Sequence, residues 1–188
     1  MTIQTALPAP PGPPFRIRKI GHVVLRAGDL ERSVAFYTKV LGLLVSDVYP
    51  DAMMPGGMVF MRCNSDHHGI ALAGGMAAAS SGSELHHLAF EVGTLDEVFL
   101  ARRMLRELGV HVTFEGRRRA GVQIAVEFED PDGHQLEIYW GLDQLADGQA
   151  SRPAGDWRWA HTLEEAIANP PPGQSPVLRD PSLADPAP

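Results

Sequence analysis

The sequence predicts an α+β protein made of two βαβββ modules, and two observations predict this class. Residues 20–41 and 85–108 follow one pattern: a short alternating apolar strand, a capping residue, an amphipathic helix and a terminating glycine. Three short strand-like segments follow each helix. A repeat of this kind predicts two similar halves and a functional site with pseudo-twofold character.

The first module spans residues 16–75. Asp29 is the predicted N-cap of its helix, and Gly42 lies where a helix C-terminus favours a residue that tolerates a left-handed backbone. Apolar residues at helical spacing, among them Val34 and Tyr37, predict the helix face that packs in the core. The strands that follow are predicted in LLVSDVY, GMVFMRC and GIALA.

The second module spans residues 84–141. Thr94, with Glu97 three residues later, forms a predicted capping box at the start of its helix, and Gly109 ends that helix. The strands that follow are predicted in VHVTFE, VQIAVEF and QLEIYW. The sequence DPDGH has the Asp, Pro and Gly chemistry of a tight turn before the last strand.

The composition excludes several classes of function. The formal net charge of −7 argues against a nucleic-acid or anionic-membrane surface. A single cysteine, Cys63, excludes an intramolecular disulfide and favours a reducing, cytoplasmic location. The one basic run, Arg117 to Arg119, is typical of a solvated turn. The alternative is a binding site for an anionic group of a substrate. Residues 1–15 lack the basic start and apolar stretch of a secretory signal and predict a flexible N-terminal arm.

The last segment, residues 142–188, is a Pro-rich tail. A short helix is predicted near 162–168, and we expect disorder beyond Asn169. Trp157 and Trp159 are unusual in such a tail and predict that it fastens onto the surface of the modules or onto a partner subunit. A substrate lid is the alternative interpretation.

When the sequences of the two modules are aligned, residues that can bind a metal ion fall in equivalent strands. His22 lies opposite His87 in the first strand of each module, and Glu137 lies opposite Ala71 in the last strands. A carboxylate in an apolar strand is costly to bury unless it is paired or coordinates a metal, although Glu137 could instead face solvent. Two imidazoles and one carboxylate form a facial triad with open coordination positions, the arrangement found in non-haem Fe(II) enzymes.

These residues resemble the vicinal-oxygen-chelate (glyoxalase/bleomycin resistance/dioxygenase) superfamily. The resemblance covers residues 17–141 and is carried by IGHVVLRAGDLERSVAFYTKVLG, LHHLAFEV and DPDGHQLEIYW. Because RCNSDHHGIALA is followed closely by LHHLAFEV, the chain is most similar to the type I extradiol ring-cleaving dioxygenases. The resemblance implies an eight-stranded, incompletely closed barrel-like sheet with outer helices.

For the site, the resemblance implies Fe(II), with Mn(II) as an alternative, bound by His22, His87 and Glu137. His68 matches the family histidine that acts as acid and base, and His67 is the neighbouring candidate. The implied reaction is cleavage of the aromatic ring of a catechol-type diol by O2.

The chain departs from the dioxygenase pattern at two donor positions. Arg118 aligns near the position of a family histidine, and Phe128 aligns near that of a family tyrosine. Arg118 can still donate hydrogen bonds to a phenolate or a substrate carboxylate, whereas Phe128 cannot. Arg118 is therefore predicted as a catalytic residue alongside His68.

Two other functions stay open. A metal-dependent isomerase, epimerase or thiol transferase of the same superfamily resembles this chain in its ligand set, although such isomerases usually supply a fourth ligand at the position of Ala71. A metal-free small-molecule-binding resistance protein uses the same two-module cup and needs no triad. The sequence also leaves a homodimer open.

Overall fold

The computed structural model describes residues 20, 22–75, 85–119, 121–144 and 152–185. The elements are β1 (Val23–Arg26), α1 (Leu30–Leu41), β2 (Leu44–Tyr49), β3 (Met58–Arg62), β4 (Ile70–Ala73), β5 (Leu88–Glu91), α2 (Leu95–Glu107), β6 (Val112–Arg117), β7 (Ile124–Glu129), β8 (Gln135–Trp140) and α3 (Leu163–Ala168). The order βαβββ occurs twice, so the predicted α+β class is confirmed. The predicted N-terminal arm, residues 1–15, lies outside the described residues.

The eight strands form two four-stranded sheets with the same internal order. The first sheet runs β1-β4-β3-β2, and the second runs β5-β8-β7-β6. In the first sheet β1 and β4 are parallel, whereas β3 is antiparallel to both β4 and β2. Strands β2 and β6 therefore occupy equivalent outer positions in the two sheets.

Helices α1 and α2 begin at the predicted N-cap residues. The Asp29 side chain accepts a hydrogen bond of 3.0 Å from the Arg32 backbone N–H, and Gly42 ends α1 with φ of +65°. Thr94 and Glu97 form the predicted capping box at the start of α2. These local signals were readable because each cap depends on residues within one helical turn.

The tail follows the outer edge of β6. Backbone hydrogen bonds of 3.0 and 3.1 Å join Arg117 to Ala160 in both directions, which makes a short antiparallel bridge. Gly116, with φ of +128°, lies so close to the tail that a Cβ there would stand 2.2 Å from the Ala160 carbonyl oxygen. Trp159 contacts Phe114 of β6 with ring centroids 5.9 Å apart. The prediction that the tail fastens onto the modules is confirmed for β6.

Two predictions about charged and terminal segments are wrong. Arg117 is completely buried and donates a 2.8 Å hydrogen bond to the Asn169 carbonyl, so the basic run is not simply a solvated turn. The chain beyond Asn169 is not disordered as expected, because Leu183 is 5% exposed and its carbonyl accepts a hydrogen bond from Arg102. Both predictions failed because the contacts that hold these segments join residues far apart in the sequence.

The chain divides into two compact units. The first unit comprises residues 19–88 together with 128–136, and the second contains 89–127 and the chain from 137 onwards. The turn before β8 therefore belongs to the unit that contains α1. In the described ranges, no helix is both long and apolar enough to cross a bilayer.

A buried polar cluster fastens this turn to α1 within the first unit. The Asp130 carboxylate accepts hydrogen bonds from the Tyr37 hydroxyl at 3.0 Å and pairs with His134 Nδ1 at 2.8 Å. Asp132 accepts hydrogen bonds from the Ser33 hydroxyl and, at 3.0 Å, from the Gly28 backbone N–H. Because these polar groups are buried, each needs its partner, and together they fix the turn.

Candidate metal centre

In the first unit the predicted ligand His22 lies beside the predicted proton carrier His68. Their ring centroids are 4.5 Å apart and the rings are tilted by 49°. His22 directly precedes β1, and His68 ends the loop that leads into β4. Because β1 and β4 are neighbouring parallel strands, the sheet itself brings these two imidazoles together.

The surroundings of His68 favour its neutral form. Its pKa is lowered, first by loss of contact with water and then by the neighbouring His22 and His67 imidazoles. The Nδ1 atoms of His67 and His68 lie 3.0 Å apart, so one of them donates a hydrogen bond to the other. A neutral imidazole with one nitrogen unprotonated can accept a proton near neutral pH.

Aromatic rings extend from His68 across the same face of the first sheet. Phe60 lies edge-on to His68 with centroids 5.0 Å apart, and Tyr49 lies edge-on to Phe60 at 4.8 Å. Ala71 of β4 pairs with both Phe60 and Val24, so it lies on this face too and offers only a methyl group. The first module therefore supplies imidazoles and aromatic rings here, and no carboxylate at position 71.

His87 directly precedes β5, the counterpart of β1, and is exposed. Its Nδ1 lies 2.7 Å from Nδ1 of His86. The structure thus confirms that both predicted imidazole ligands occupy the same place in the βαβββ order, one residue before the first strand of each repeat. Their binding to one shared ion stays a prediction.

Glu137, the predicted third ligand, belongs to the second unit and is 2% exposed. The Gln123 amide donates a 3.3 Å hydrogen bond to its Oε1. The Oε1 atom of Gln123 is itself buried and has no hydrogen-bond partner among the described residues. The solvent-facing alternative for Glu137 is wrong. A buried carboxylate beside an unsatisfied amide oxygen has the donor chemistry that a divalent cation requires.

Arg118 is engaged by other side chains of the second unit. Its Nε and Nη2 atoms each donate a 2.7 Å hydrogen bond to the Glu127 carboxylate, which raises the Arg118 pKa. The guanidinium carbon lies 3.7 Å from the centre of the Phe114 ring and 5.3 Å from that of Trp159. A hydrogen bond from Arg118 to a substrate would therefore come from Nη1 or from the second N–H of Nη2.

Sequence reasoning missed a second group of carboxylates, in the second unit. Oxygen atoms of Glu115, Glu164 and Asp185 lie within 4.8 Å of one another. Arg102 is buried among them, with Nη1 at 3.4, 2.9 and 3.3 Å from the three carboxylates. Because a guanidinium already occupies this group, we interpret it as an ion-pair network that holds the tail.

Comparison with known proteins identifies the family. The model of the Glyoxalase/Bleomycin resistance protein/Dioxygenase superfamily matches residues 19–138. The chain belongs to this superfamily. The match covers both βαβββ repeats as far as β8, and it leaves the tail outside.

Superfamily relatives differ in their activities. A biphenyl-2,3-diol 1,2-dioxygenase from Metapseudomonas furukawaii is 32% identical over 126 residues, which are 64% of this chain and 40% of that protein. A lactoylglutathione lyase from Salmonella typhimurium is 34% identical over 127 residues, 65% of this chain and 92% of that protein. The chain thus spans about two fifths of the dioxygenase.

Comparison with a solved structure confirms the fold. A fosfomycin resistance protein from Listeria monocytogenes, determined with Mn(II) and sulfate, superposes with a TM-score of 0.55 at 20% identity. The superposition covers 71% of this chain and 96% of that one.

Proposed function

We propose that this superfamily member is an Fe(II)-dependent extradiol dioxygenase that cleaves the aromatic ring of a catechol-type diol with O2. The observation that supports it most is the His22–His68 pair on a sheet face where Ala71 supplies no donor. A site limited to two imidazoles and one carboxylate keeps coordination positions open for two substrates. The similarity to biphenyl-2,3-diol 1,2-dioxygenase supports an aromatic diol as one of them.

His22, His87 and Glu137 are the proposed ligands. Neutral imidazole and carboxylate suit Fe(II) and also Mn(II), so the donor set fits the metal. When bound, the iron supplies a place where diol and O2 meet and a route for electrons between them. The burial of Glu137 would keep bulk water from competing for its carboxylate.

His68 is the proposed proton carrier. With its lowered pKa the ring is neutral near pH 7, so an unprotonated ring nitrogen can accept the proton of a diol hydroxyl. In the proposed tautomer Nδ1 of His68 donates to Nδ1 of His67, so Nε2 of His68 is unprotonated and is the atom that accepts the proton. Tyr49 and Phe60 supply ring edges along which an aromatic substrate can lie. Arg118 stays the proposed second polar contact to the substrate, through an N–H that is not bonded to Glu127.

A second candidate is a metal-dependent lyase or isomerase of the same superfamily. The lactoylglutathione lyase match favours it, because that alignment covers 92% of the relative and the dioxygenase alignment covers 40%. Ala71 argues against it, because such enzymes usually place a fourth ligand there. The location in the cytoplasm, proposed from the single cysteine, fits either activity.

Oxygen uptake by protein loaded anaerobically with Fe(II) tests the proposal. The substrates are catechols with alkyl, aryl and carboxylate substituents, and the absorbance of the ring-opened product is followed in the same cuvette. Stoichiometric oxygen uptake with a yellow product supports ring cleavage. The absence of oxygen uptake by fully loaded protein, together with lactoylglutathione lyase activity, would replace the proposal by the second candidate.

A further inference from the structure

We propose that β2 is a homodimer interface, in which its outer edge pairs antiparallel with β2 of a second copy about a twofold axis. Strand β2 is outermost in the first sheet, and within the described ranges its only strand partner is β3. An unpaired strand edge offers a row of backbone donors and acceptors to another strand. Pairing would join two four-stranded sheets into one of eight strands.

The outer strand carries more exposed apolar surface than an edge usually does. Leu44, Val45, Val48 and Tyr49 are 55, 43, 53 and 38% exposed. Edge strands that stay unpaired are commonly protected by lysine, proline or a covering segment. Asp47 is the one charged residue of β2, and its Oδ1 accepts a 2.8 Å hydrogen bond from the Val48 backbone N–H, a contact that pairing with a second strand would replace.

The equivalent outer strand of the other sheet has an additional partner. The tail pairs with the C-terminal end of β6 through the backbone bridge between Arg117 and Ala160. Among the described residues β2 has no such additional partner, so we assign its outer edge to a second copy.

The sequence of β2 is complementary to itself. LVSDVY reads as two apolar, two polar and two apolar residues in either direction. A twofold axis between Ser46 and Asp47 places Leu44 opposite the partner subunit's Tyr49 and Val45 opposite the partner subunit's Val48. Asp47 then faces a serine hydroxyl, and the two carboxylates are not directly opposed.

A β-bulge makes this pairing consistent with the two faces of the sheet. Residues directly opposite in an antiparallel pair have side chains on the same face. Without a bulge, Leu44 and Tyr49 would point to opposite faces, because they are five positions apart. The register with β3 shifts between Val45 and Asp47, so Ser46 is an extra residue that restores the match.

Neighbouring contacts show which face each side chain occupies. Val45 pairs with the buried Met61 and Val48 with the buried Val59, on the face that carries α1. Tyr49 contacts Phe60, which alternates with these two residues and lies on the other face. The proposed pairing therefore brings valine to valine on one face and leucine to tyrosine on the other.

A groove beside β2 has room for the partner's side chains. Its volume is about 440 Å³, and its lining is mainly apolar, including Leu30, Val34, Val48 and Val59. Because the partner subunit's Val45 would lie opposite Val48 on this face, its side chain can enter the groove. Burying these side chains together provides the hydrophobic contribution to association.

Molar mass measured by light scattering during size exclusion tests the interface. The wild-type chain is expected at dimer mass, and Val45→Lys at monomer mass, because two lysines would enter apolar surroundings. Leu100→Lys on α2 is the matched control, since Leu100 is 47% exposed and should tolerate the charge as a dimer. A monomeric wild-type chain, or a Val45→Lys variant as dimeric as the control, would overturn the proposal.

Disulfide trapping tests the register of the β2–β2 pairing, and it does so without placing a charge in the interface. In a Cys63→Ser background, Leu44→Cys combined with Tyr49→Cys should give a covalent dimer on mild oxidation, because a disulfide needs Cα atoms within about 7 Å. Each single variant should stay monomeric on a non-reducing gel, since identical positions lie far from the twofold axis. Covalent dimers from either single variant, or none from the double variant, would contradict this register.

Discussion

Among individual residues, the neighbouring histidines His67 and His68 have different surroundings. His68 contacts both His22 and Phe60, whereas His67 is exposed and lies 3.9 Å from the Asp47 carboxylate. The position of His68 next to a proposed metal ligand suits proton transfer to or from a bound substrate. His67 is suited to orienting His68 through their Nδ1 contact.

We expect His68→Gln to lower kcat by about 100-fold or more, the usual contribution of a general acid or base. Iron content should stay at the wild-type level, because His68 is not a proposed ligand. His67→Gln is the matched control and should retain most of the activity. Full turnover by His68→Gln would remove His68 from the mechanism.

The pH profile provides a second test of His68. The wild-type rate should fall as the pH drops through the His68 pKa, because only the neutral ring accepts a proton. That pKa is lowered, so the acidic limb should lie below the ordinary value of about 6.5. The limb should be absent from the residual activity of His68→Gln.

The places of the candidate residues in the fold were largely predictable, because the repeat aligns them. His22 and His87 occupy equivalent positions before β1 and β5, and Glu137 is a buried residue of β8, while their role as ligands stays a prediction. The engagement of Arg118 with Glu127 was not predictable. It depends on a partner in the next strand and on stacking against the tail residue Trp159.

Among the elements, the turn before β8 is fastened to α1 by ionisable groups whose pKa values shift. The hydrogen bond with Asp130 raises the His134 pKa although burial opposes it. Burial by itself would raise the Asp130 pKa. Hydrogen bonds from the side chain and the backbone of His134, and from the Tyr37 hydroxyl, outweigh burial and lower this pKa. Both shifts favour the charged form of the His134–Asp130 pair in the folded turn.

The stability from this pair depends on pH in a defined direction. A raised His134 pKa stabilises the fold fully below the unfolded value of about 6.5, and this contribution is lost as pH rises through the folded pKa. A lowered Asp130 pKa stabilises the fold above about 3.9 and is lost as pH falls through the folded pKa. The combined contribution is greatest between these limits.

We expect His134→Gln to lower the free energy of unfolding by about 1–3 kcal/mol at pH 6, and by less at pH 9. Urea denaturation at the two pH values measures the difference. His111→Gln is the control, because His111 is exposed, and its loss of stability should stay below about 0.5 kcal/mol. An equal loss at both pH values would show that His134 is not charged in the fold.

The tail is held by the buried Arg102. Its side chain is 2% exposed, and its guanidinium contacts Glu115 of β6, Glu164 of α3 and Asp185 of the tail. We expect Arg102→Met to destabilise the protein by about 3 kcal/mol, because three carboxylates lose their shared partner. Denaturant unfolding measures the loss.

Arg103→Met is the matched control on the same helix. Arg103 is exposed and donates one hydrogen bond, of 3.0 Å, to the Ser182 carbonyl, so the loss should stay below about 1 kcal/mol. Equal losses in both variants would mean that the carboxylate network contributes nothing. The short helix α3 was predictable from its Thr162 cap, but the network was not, because Arg102 reaches partners 62 and 81 residues away.

For the molecule as a whole, most of the fold could be predicted from the sequence because of the internal repeat. Two copies of βαβββ give two sheets of the same strand order, and the superfamily match over residues 19–138 covers them. The two copies differ at the positions on which the proposed functions depend. Ala71 and Glu137 differ in donor chemistry, and the edges of β2 and β6 differ in whether the tail covers them.

We propose that one divalent metal ion is held by His22, His87 and Glu137, and the metal content of the protein after anaerobic Fe(II) loading and desalting tests this ligand set. We predict about one iron per wild-type chain, a large loss in Glu137→Ala, and no loss in the control Glu129→Ala, whose carboxylate accepts a hydrogen bond from Gln135. A folded Glu137→Ala variant that retains one iron per chain would rule out Glu137 as a ligand.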